Sequence, residues 1–103
     1  MLFETDKHGY LKNITDWTEN VAEFIAQQEN IALTPEHWLI IHTLRTFYLS
    51  HQLLPSMRVL IKLLAEKIPD EKNHSLYLQN LFPKGLMRQA SKIAGLPKPV
   101  RCI

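Results

Sequence analysis

Apolar residues recur at helical spacing in five stretches of this chain, and the breaks between them fall on proline, glycine or capping residues. Trp17, Val21, Phe24 and Ile25 share one face of a helix predicted over 17–29, with Asp16 placed to cap it and Glu19 in its first turn. Thr34-Pro35-Glu36 is the clearest helix start: Thr accepts an orphan amide, Pro sits where its missing donor costs nothing, and the acid suits the helix dipole. The helix it opens runs to about residue 50. Its wide apolar face of Trp38, Ile40, Ile41, Leu44, Phe47 and Tyr48 predicts a central place in the core. Pro55 opens a third helix, in which Met57, Leu60, Ile61, Leu64 and Ile68 keep the period, Arg58, Lys62 and Lys67 face outward, and Pro69 is the stop. A short helix over about 74–82 carries Leu76, Tyr77, Leu78, Leu81 and Phe82 and closes at Pro83. A fifth, over about 84–94, presents Leu86, Met87, Ala90, Ile93 and Ala94, and Gly95 suits a left-handed C-cap.

The two ends of the chain break this pattern. Near the amino terminus, Asp6-Lys7-His8-Gly9 separates Leu2-Phe3 from Tyr10-Leu11, which predicts a small β-hairpin turning at Gly9. At the other end, Pro97 and Pro99 fix φ at alternate positions and remove two donors, so Leu96–Ile103 neither continues a helix nor pairs well in a sheet. An extended, polyproline-like arm is expected, and at about 3.1 Å per residue it would carry Cys102 roughly 19 Å from Leu96. The predicted fold is therefore α+β and predominantly α: a small N-terminal β-hairpin or sheet packed on about five helices. Residues 1–95 form a single globular domain and 96–103 the arm.

Composition changes this picture little. The chain has 103 residues, 46% of them apolar and 21% charged, values that suit one ordinary globular domain able to bury a core without disulfides or metal. No apolar run is long enough to span a membrane, and no basic region with a following apolar stretch marks the amino terminus, so a soluble protein in the cytoplasm is expected. Charge is more telling. The net charge of +2 hides an acidic first third, where Glu4, Asp6, Asp16, Glu19, Glu23, Glu29 and Glu36 outnumber Lys7 and Lys12. From residue 84 onward Lys84, Arg88, Lys92, Lys98 and Arg101 meet no acidic side chain. This basic end either faces solvent or meets an anionic surface, whether an acidic partner or nucleic acid.

Several chemistries are disfavoured. The three glycines lie too far apart for a phosphate loop or dinucleotide fingerprint, and no Gly-x-Ser-x-Gly elbow occurs. His37 and His42 diverge by about 140° around their helix, so hydrogen-bonded structural roles are favoured over metal ligation, and neither metal nor cofactor is expected. The second and third helices, followed by Lys72, Asn73, His74 and Gln79, have the outline of a DNA-reading helix-turn-helix. Short-linked helices are common, however, and 73–83 holds no Arg or Lys, so direct DNA recognition is disfavoured.

Cys102 remains. A lone cysteine is commonly a buried, inert thiol, but a residue beyond Pro-x-Pro at the end of a chain is hard to bury within its own domain, which favours a functional thiol. At an ordinary pKa of about 8.5, only a few per cent is thiolate near pH 7; Arg101 and Lys98 favour that form and the Ile103 carboxylate opposes it. Lys84, Arg88 and Lys92, spaced four apart, form a cationic stripe leading into the arm.

The sequence Lys92-Ile93-Ala94-Gly95-Leu96-Pro97-Lys98-Pro99-Val100-Arg101-Cys102-Ile103 resembles the carboxyl terminus of the DsrC/TusE family of sulfur-carrier proteins. The resemblance extends to Leu81-Phe82-Pro83-Lys84-Gly85, Thr34-Pro35-Glu36-His37-Trp38 and Gly9-Tyr10-Leu11, with an amino terminus shortened relative to members that have an additional strand there. It implies that Cys102 accepts sulfane sulfur as a persulfide from a TusBCD-like relay. An MnmA-like tRNA 2-thiouridylase would receive that sulfur for the wobble uridine, tRNA being met indirectly. Members serving dissimilatory sulfite reductase carry a second cysteine where this chain has Ser91, so the resemblance favours the tRNA branch. Ile103, Arg101, Lys98, Lys92, Arg88 and Lys84 are expected to dock or steer the arm. A DNA-binding regulatory module and a non-carrier subunit of a sulfur-metabolising complex are the competing readings.

Overall fold

A computed structural model describes residues 3–68 and 75–99. Five helices make up the fold: α1 Glu19–Gln28, α2 Pro35–His51, α3 Met57–Leu64, α4 Ser75–Leu81 and α5 Leu86–Ile93. The hub is α5, which packs on α1, α2 and α4, while α2 in turn carries α3. Every residue of α5 except Arg88 and Lys92 is buried. The expected centre, α2, is less enclosed. Its inner face of His37, Ile40, Ile41, Thr43 and Leu44 is buried, but Trp38, Phe47 and Tyr48 keep part of their surface in solvent. Around α5 the core gathers Ile25, Ile40, Ile41, Leu44, Leu60, Leu64, Leu78, Phe82, Leu86, Ile93 and Leu96.

The α+β expectation fails: among the described residues there is no β-strand and no sheet, and the fold is all-helical. The amino-terminal segment makes one isolated antiparallel bridge, Thr5 to Leu11. The reason is local. The Asp6 side-chain oxygen accepts the N–H groups of His8 (2.8 Å) and Tyr10 (3.0 Å), so donors that a strand ladder would use are drawn into the turn. Tyr10 and Leu11 are both buried, unlike the one-face burial of a surface hairpin strand. Gly9 does sit in the turn, at φ +89°.

Helix starts follow capping chemistry. Thr34 accepts the His37 N–H while the Thr34 N–H donates to His37 Nδ1 (3.1 Å), closing a capping box. With Nδ1 accepting, Nε2 carries the proton and donates to the Leu81 carbonyl (2.8 Å), which ties the start of α2 to the end of α4. His37 is thus a structural residue, as its place in the sequence suggests. His42 is instead exposed, 3.6 Å from Glu19 and stacked on Trp38. Helix α1 begins later than expected because Asn13 caps a 3-10 turn over Ile14–Asp16, leaving Thr18 to accept the Val21 N–H. At the other end of α3, the helix stops at Leu64; a tight turn then buries Ile68, and the expected stop at Pro69 lies outside the described residues.

Candidate functional site

The carboxyl end of α5 leads into residues 97–99, and four groups fix it: the backbone N–H groups of Gly95 and Leu96 and the side chains of Trp17 and Arg45. Gly95, at φ +71°, donates to the Lys92 carbonyl (3.1 Å), and Leu96 donates to that of Ser91 (2.9 Å). This paired pattern is a Schellman cap, with Leu96 as its buried apolar closure. Two carbonyls are then met from outside the helix. The Trp17 indole N–H donates to Ile93 O (2.8 Å), and the Arg45 guanidinium donates to Ala94 O (2.8 Å). Arg45 also lies 4.2 Å from the Trp17 ring centroid, so the two clamps brace one another. Burial lowers the pKa of Arg45 from its ordinary value, yet a guanidinium this basic remains a cation. A Cβ on residue 95 would come within 2.5 Å of Trp17 Cδ1, so the close approach requires glycine as well as the positive φ does.

Leu96 therefore belongs to the core, and chain exposed to solvent begins at Pro97. Pro97 and Pro99 line a groove of about 560 Å³ together with Tyr48, Leu53, Leu54 and Met87. Cys102, Arg101 and Ile103 lie outside the described residues. Position 91 is fully buried beside the base of the arm; Ser91 Oγ has no hydrogen-bond partner.

The four described residues of the basic end are not equivalent. Lys84 precedes α5 and donates its backbone N–H to Gln89 Oε1 (3.0 Å). Arg88 and Lys92 occupy the outward side of α5, one turn apart, and Lys98 is exposed on the arm. Lys92 is already engaged: its Nζ is 3.0 Å from Glu29 Oε2 and 5.3 Å from the Tyr10 ring centroid. Glu29 also accepts from Gln89 Nε2 (3.0 Å). Burial on its own would raise the Glu29 pKa, but the hydrogen bonds from Gln89 and Lys92 and the nearby charges of Lys92 and Lys84 outweigh it and hold the carboxyl below its ordinary value. Lys92 thus stitches α1 to α5 as well as adding positive charge.

The sequence offered no signal for the roles of Trp17 and Arg45. Their partners are main-chain carbonyls 76 and 49 residues away. Both side chains read there as members of other helices, Trp17 on an apolar face. In the helix-turn-helix alternative, Lys72, Asn73 and His74 lie outside the described residues, and Gln79 is exposed on α4. Among the described residues no three His, Cys, Asp or Glu side chains cluster as metal ligands would, and no helix is long and apolar enough to cross a membrane.

Comparison with known proteins places this geometry among relatives. The DsrC like protein family matches residues 1–103. The chain is 51% identical over 102 residues to the sulfurtransferase TusE of Yersinia pseudotuberculosis, covering 99% of this chain and 94% of that one. It is 52% identical over 100 residues to the sulfurtransferase TusE of Escherichia coli K12, covering 97% and 92%. In structure it is similar to DsrC of Allochromatium vinosum, solved by NMR, with a TM-score of 0.86 at 48% identity, covering 98% of this chain and 90% of that one. The crystal structure of the oxidized gamma-subunit of the dissimilatory sulfite reductase (DsrC) from Archaeoglobus fulgidus gives a TM-score of 0.88 at 36% identity, covering 98% and 92%.

Proposed function

The chain belongs to the DsrC/TusE family, and on that premise we propose that it is a sulfurtransferase of the carrier kind, with Cys102 as the atom-bearing residue of a relay that ends in 2-thiolation of a tRNA wobble uridine. The observation that supports this most directly is a family match over the whole of residues 1–103 in a chain whose one cysteine stands at position 102.

The chemistry needs no cofactor. In the loading step the Cys102 thiolate attacks the outer sulfur of a donor persulfide; that sulfur–sulfur bond breaks, the donor leaves as a thiolate, and Cys102 holds the persulfide. In delivery an acceptor nucleophile attacks the outer sulfur of that persulfide and Cys102 is released as a thiolate. One sulfur moves each time and no net oxidation occurs. A TusBCD-like complex is the proposed donor and an MnmA-like thiouridylase the proposed recipient.

The base of the arm suits this work. A carrier must place the same atom in two different active sites, and the clamp on α5 sets where the reach begins, while Pro97 and Pro99 reduce the entropy lost on docking. Arg101, Lys98 and Ile103 would contact the partner around the sulfur, with Arg88, Lys92 and Lys84 behind them. With Ser91 in place of a second cysteine, Cys102 has no partner within the chain for a disulfide, so a loaded sulfur is held for transfer.

Intact mass spectrometry tests the reading. Incubation with a persulfide donor should add one sulfur to the wild-type chain, removable by a thiol reductant, and Cys102→Ser should gain none. A wild-type mass that stays constant under loading conditions overturns the proposal.

A further inference from the structure

The groove of about 560 Å³ lined by Tyr48, Leu53, Leu54, Met87, Pro97 and Pro99 has no part in the sulfur chemistry itself. It joins the turn after α2 to the first residues beyond Leu96, and its lining is mostly apolar. Leu53 stands 57% exposed there. The turn that presents it works against backbone preference: Gln52, also in the lining, closes α2 at φ +62°, a left-handed conformation that a residue with a side chain adopts at a cost. The stretches that build the groove, 48–56 and 87–99, hold no Asp or Glu, so covering it buries no carboxylate. Lys98 is the one charged residue of the lining, and its stem can lie on the apolar wall with the ammonium in water.

We propose that this groove is a protein docking site: it receives apolar side chains from the rim of the active site that exchanges sulfur with Cys102, and because donor and recipient both need it, they bind the carrier in turn. The occupant follows from the carrier reading, on which this inference rests, and from the length of chain beyond the groove. Cys102 is three residues past Pro99, a reach of at most about 11 Å. A protein that encloses the Cys102 sulfur in its own active site therefore brings its surface to within about that distance of Pro99, which lines the groove. Apolar surface so close to the point of contact is covered in the complex, and its removal from water strengthens docking. The same limit of reach applies to donor and to recipient. One groove cannot hold the rims of two active sites at once, so loading and delivery alternate and no complex of all three proteins forms.

The test uses the full chain and the two partners of the carrier reading, a TusBCD-like complex and an MnmA-like thiouridylase, with binding measured by titration calorimetry. Leu53→Asp should weaken the binding of each partner by about tenfold, and Leu53→Ser, a milder change, by about threefold. Leu76→Asp places the same charge at a leucine of α4 that is 67% exposed, and should bind as the wild type does. Melting curves establish that the three variants are folded. Saturating the carrier with one partner should abolish the titration of the other. Equal binding by Leu53→Asp and wild type, an equal loss in Leu76→Asp, a complex that holds both partners, or no wild-type binding to either partner overturns the proposal. So does tighter binding by Leu53→Asp, which would give the groove to the chain's own tail, or a wild-type dimer that Leu53→Asp dissolves, which would give it to a second copy. Loading of the wild type from glutathione persulfide, read by intact mass, needs no protein partner and runs in parallel. Normal loading with binding that ignores Leu53 removes this inference alone, and failed loading with binding that depends on Leu53 removes the carrier reading alone.

Discussion

The two ends of α5 are held in different ways. At the carboxyl end, Ile93 O and Ala94 O receive side-chain donors from Trp17 and Arg45, and a Schellman cap closes on buried Leu96. At the amino end the cap residue is Gly85 and no side chain caps the helix; the nearest support is Gln89, which accepts from Lys84 N–H one turn back along the chain. Any helix leaves carbonyls unsatisfied at its carboxyl end, and water can serve them when they are exposed. Here distant parts of the fold serve them instead. The carboxyl end leads into residues 97–99, so tertiary contacts are concentrated where the proposed carrier arm would depart.

If the comparison is right, the largest loss of stability follows removal of Trp17. Trp17→Ala deletes the indole packing, the donor to Ile93 O and the surface under Arg45, and should cost about 3 kcal/mol, near the low end for a large aromatic because Trp17 is half-exposed. Trp17→Phe keeps most of the packing and should cost about 1 kcal/mol for the lost hydrogen bond. Urea denaturation measures both, and a Trp17→Ala loss below 1 kcal/mol would show that the clamp is ornamental. Next comes Gly95→Ala. A left-handed alanine costs about 1–2 kcal/mol, and its Cβ would push on Trp17, so a loss of about 2 kcal/mol is expected by the same measurement.

The side of α5 that meets Glu29, at the carboxyl end of α1, gives a smaller and pH-dependent effect. Glu29→Gln keeps an acceptor for Gln89 but removes the charge opposite Lys92, and should cost about 1 kcal/mol at pH 7. The sign with pH is fixed by the lowered carboxyl pKa. The stabilisation is complete above the ordinary glutamate value of 4.5 and is lost as the pH falls from there through the lower value of the folded state. Wild type and Glu29→Gln should therefore converge in stability as the pH falls from 4.5 through the lowered folded-state value. A constant gap between their denaturation midpoints from pH 7 to pH 3 would contradict the assignment.

How much of this was legible in the sequence depended on how far each interaction reaches. The start of α2 was readable because Thr34, Pro35 and His37 lie within one turn, and Gly95 was readable as a cap because glycine is the residue a left-handed turn demands. Of the expected stripe of Lys84, Arg88 and Lys92, only Arg88 and Lys92 lie on α5, because the helix begins at Leu86. The hairpin expectation fails because the same Asp and Gly that begin a hairpin also build a closed turn, in which Asp6 takes the N–H groups of His8 and Tyr10. Asp16 is spaced to cap α1, whereas Thr18 holds it; the chain runs extended at Trp17, whose indole reaches α5. That Lys92 is divided between Glu29 and the Tyr10 ring is invisible without the packing of α1 on α5. Chemistry within one turn is written in the sequence, and partnership across the fold is not.

The smallest effect expected at the arm base comes from Arg45→Lys, and it is the sharpest test of the clamp. Lysine retains the charge near Trp17 but has a single ammonium, which cannot donate to Ala94 O and lie flat on the indole at the same time as a guanidinium does. Arg45 is half-buried, so water can reach a carbonyl left without its donor. The cost should be about 0.5 kcal/mol, well below that of Trp17→Phe. A double-mutant cycle between Arg45→Lys and Trp17→Phe should show coupling, since each side chain supports the other's contact with α5. Strict additivity would mean that the two donors act separately, and the carboxyl end of α5 would then be held by two unrelated hydrogen bonds instead of one braced clamp.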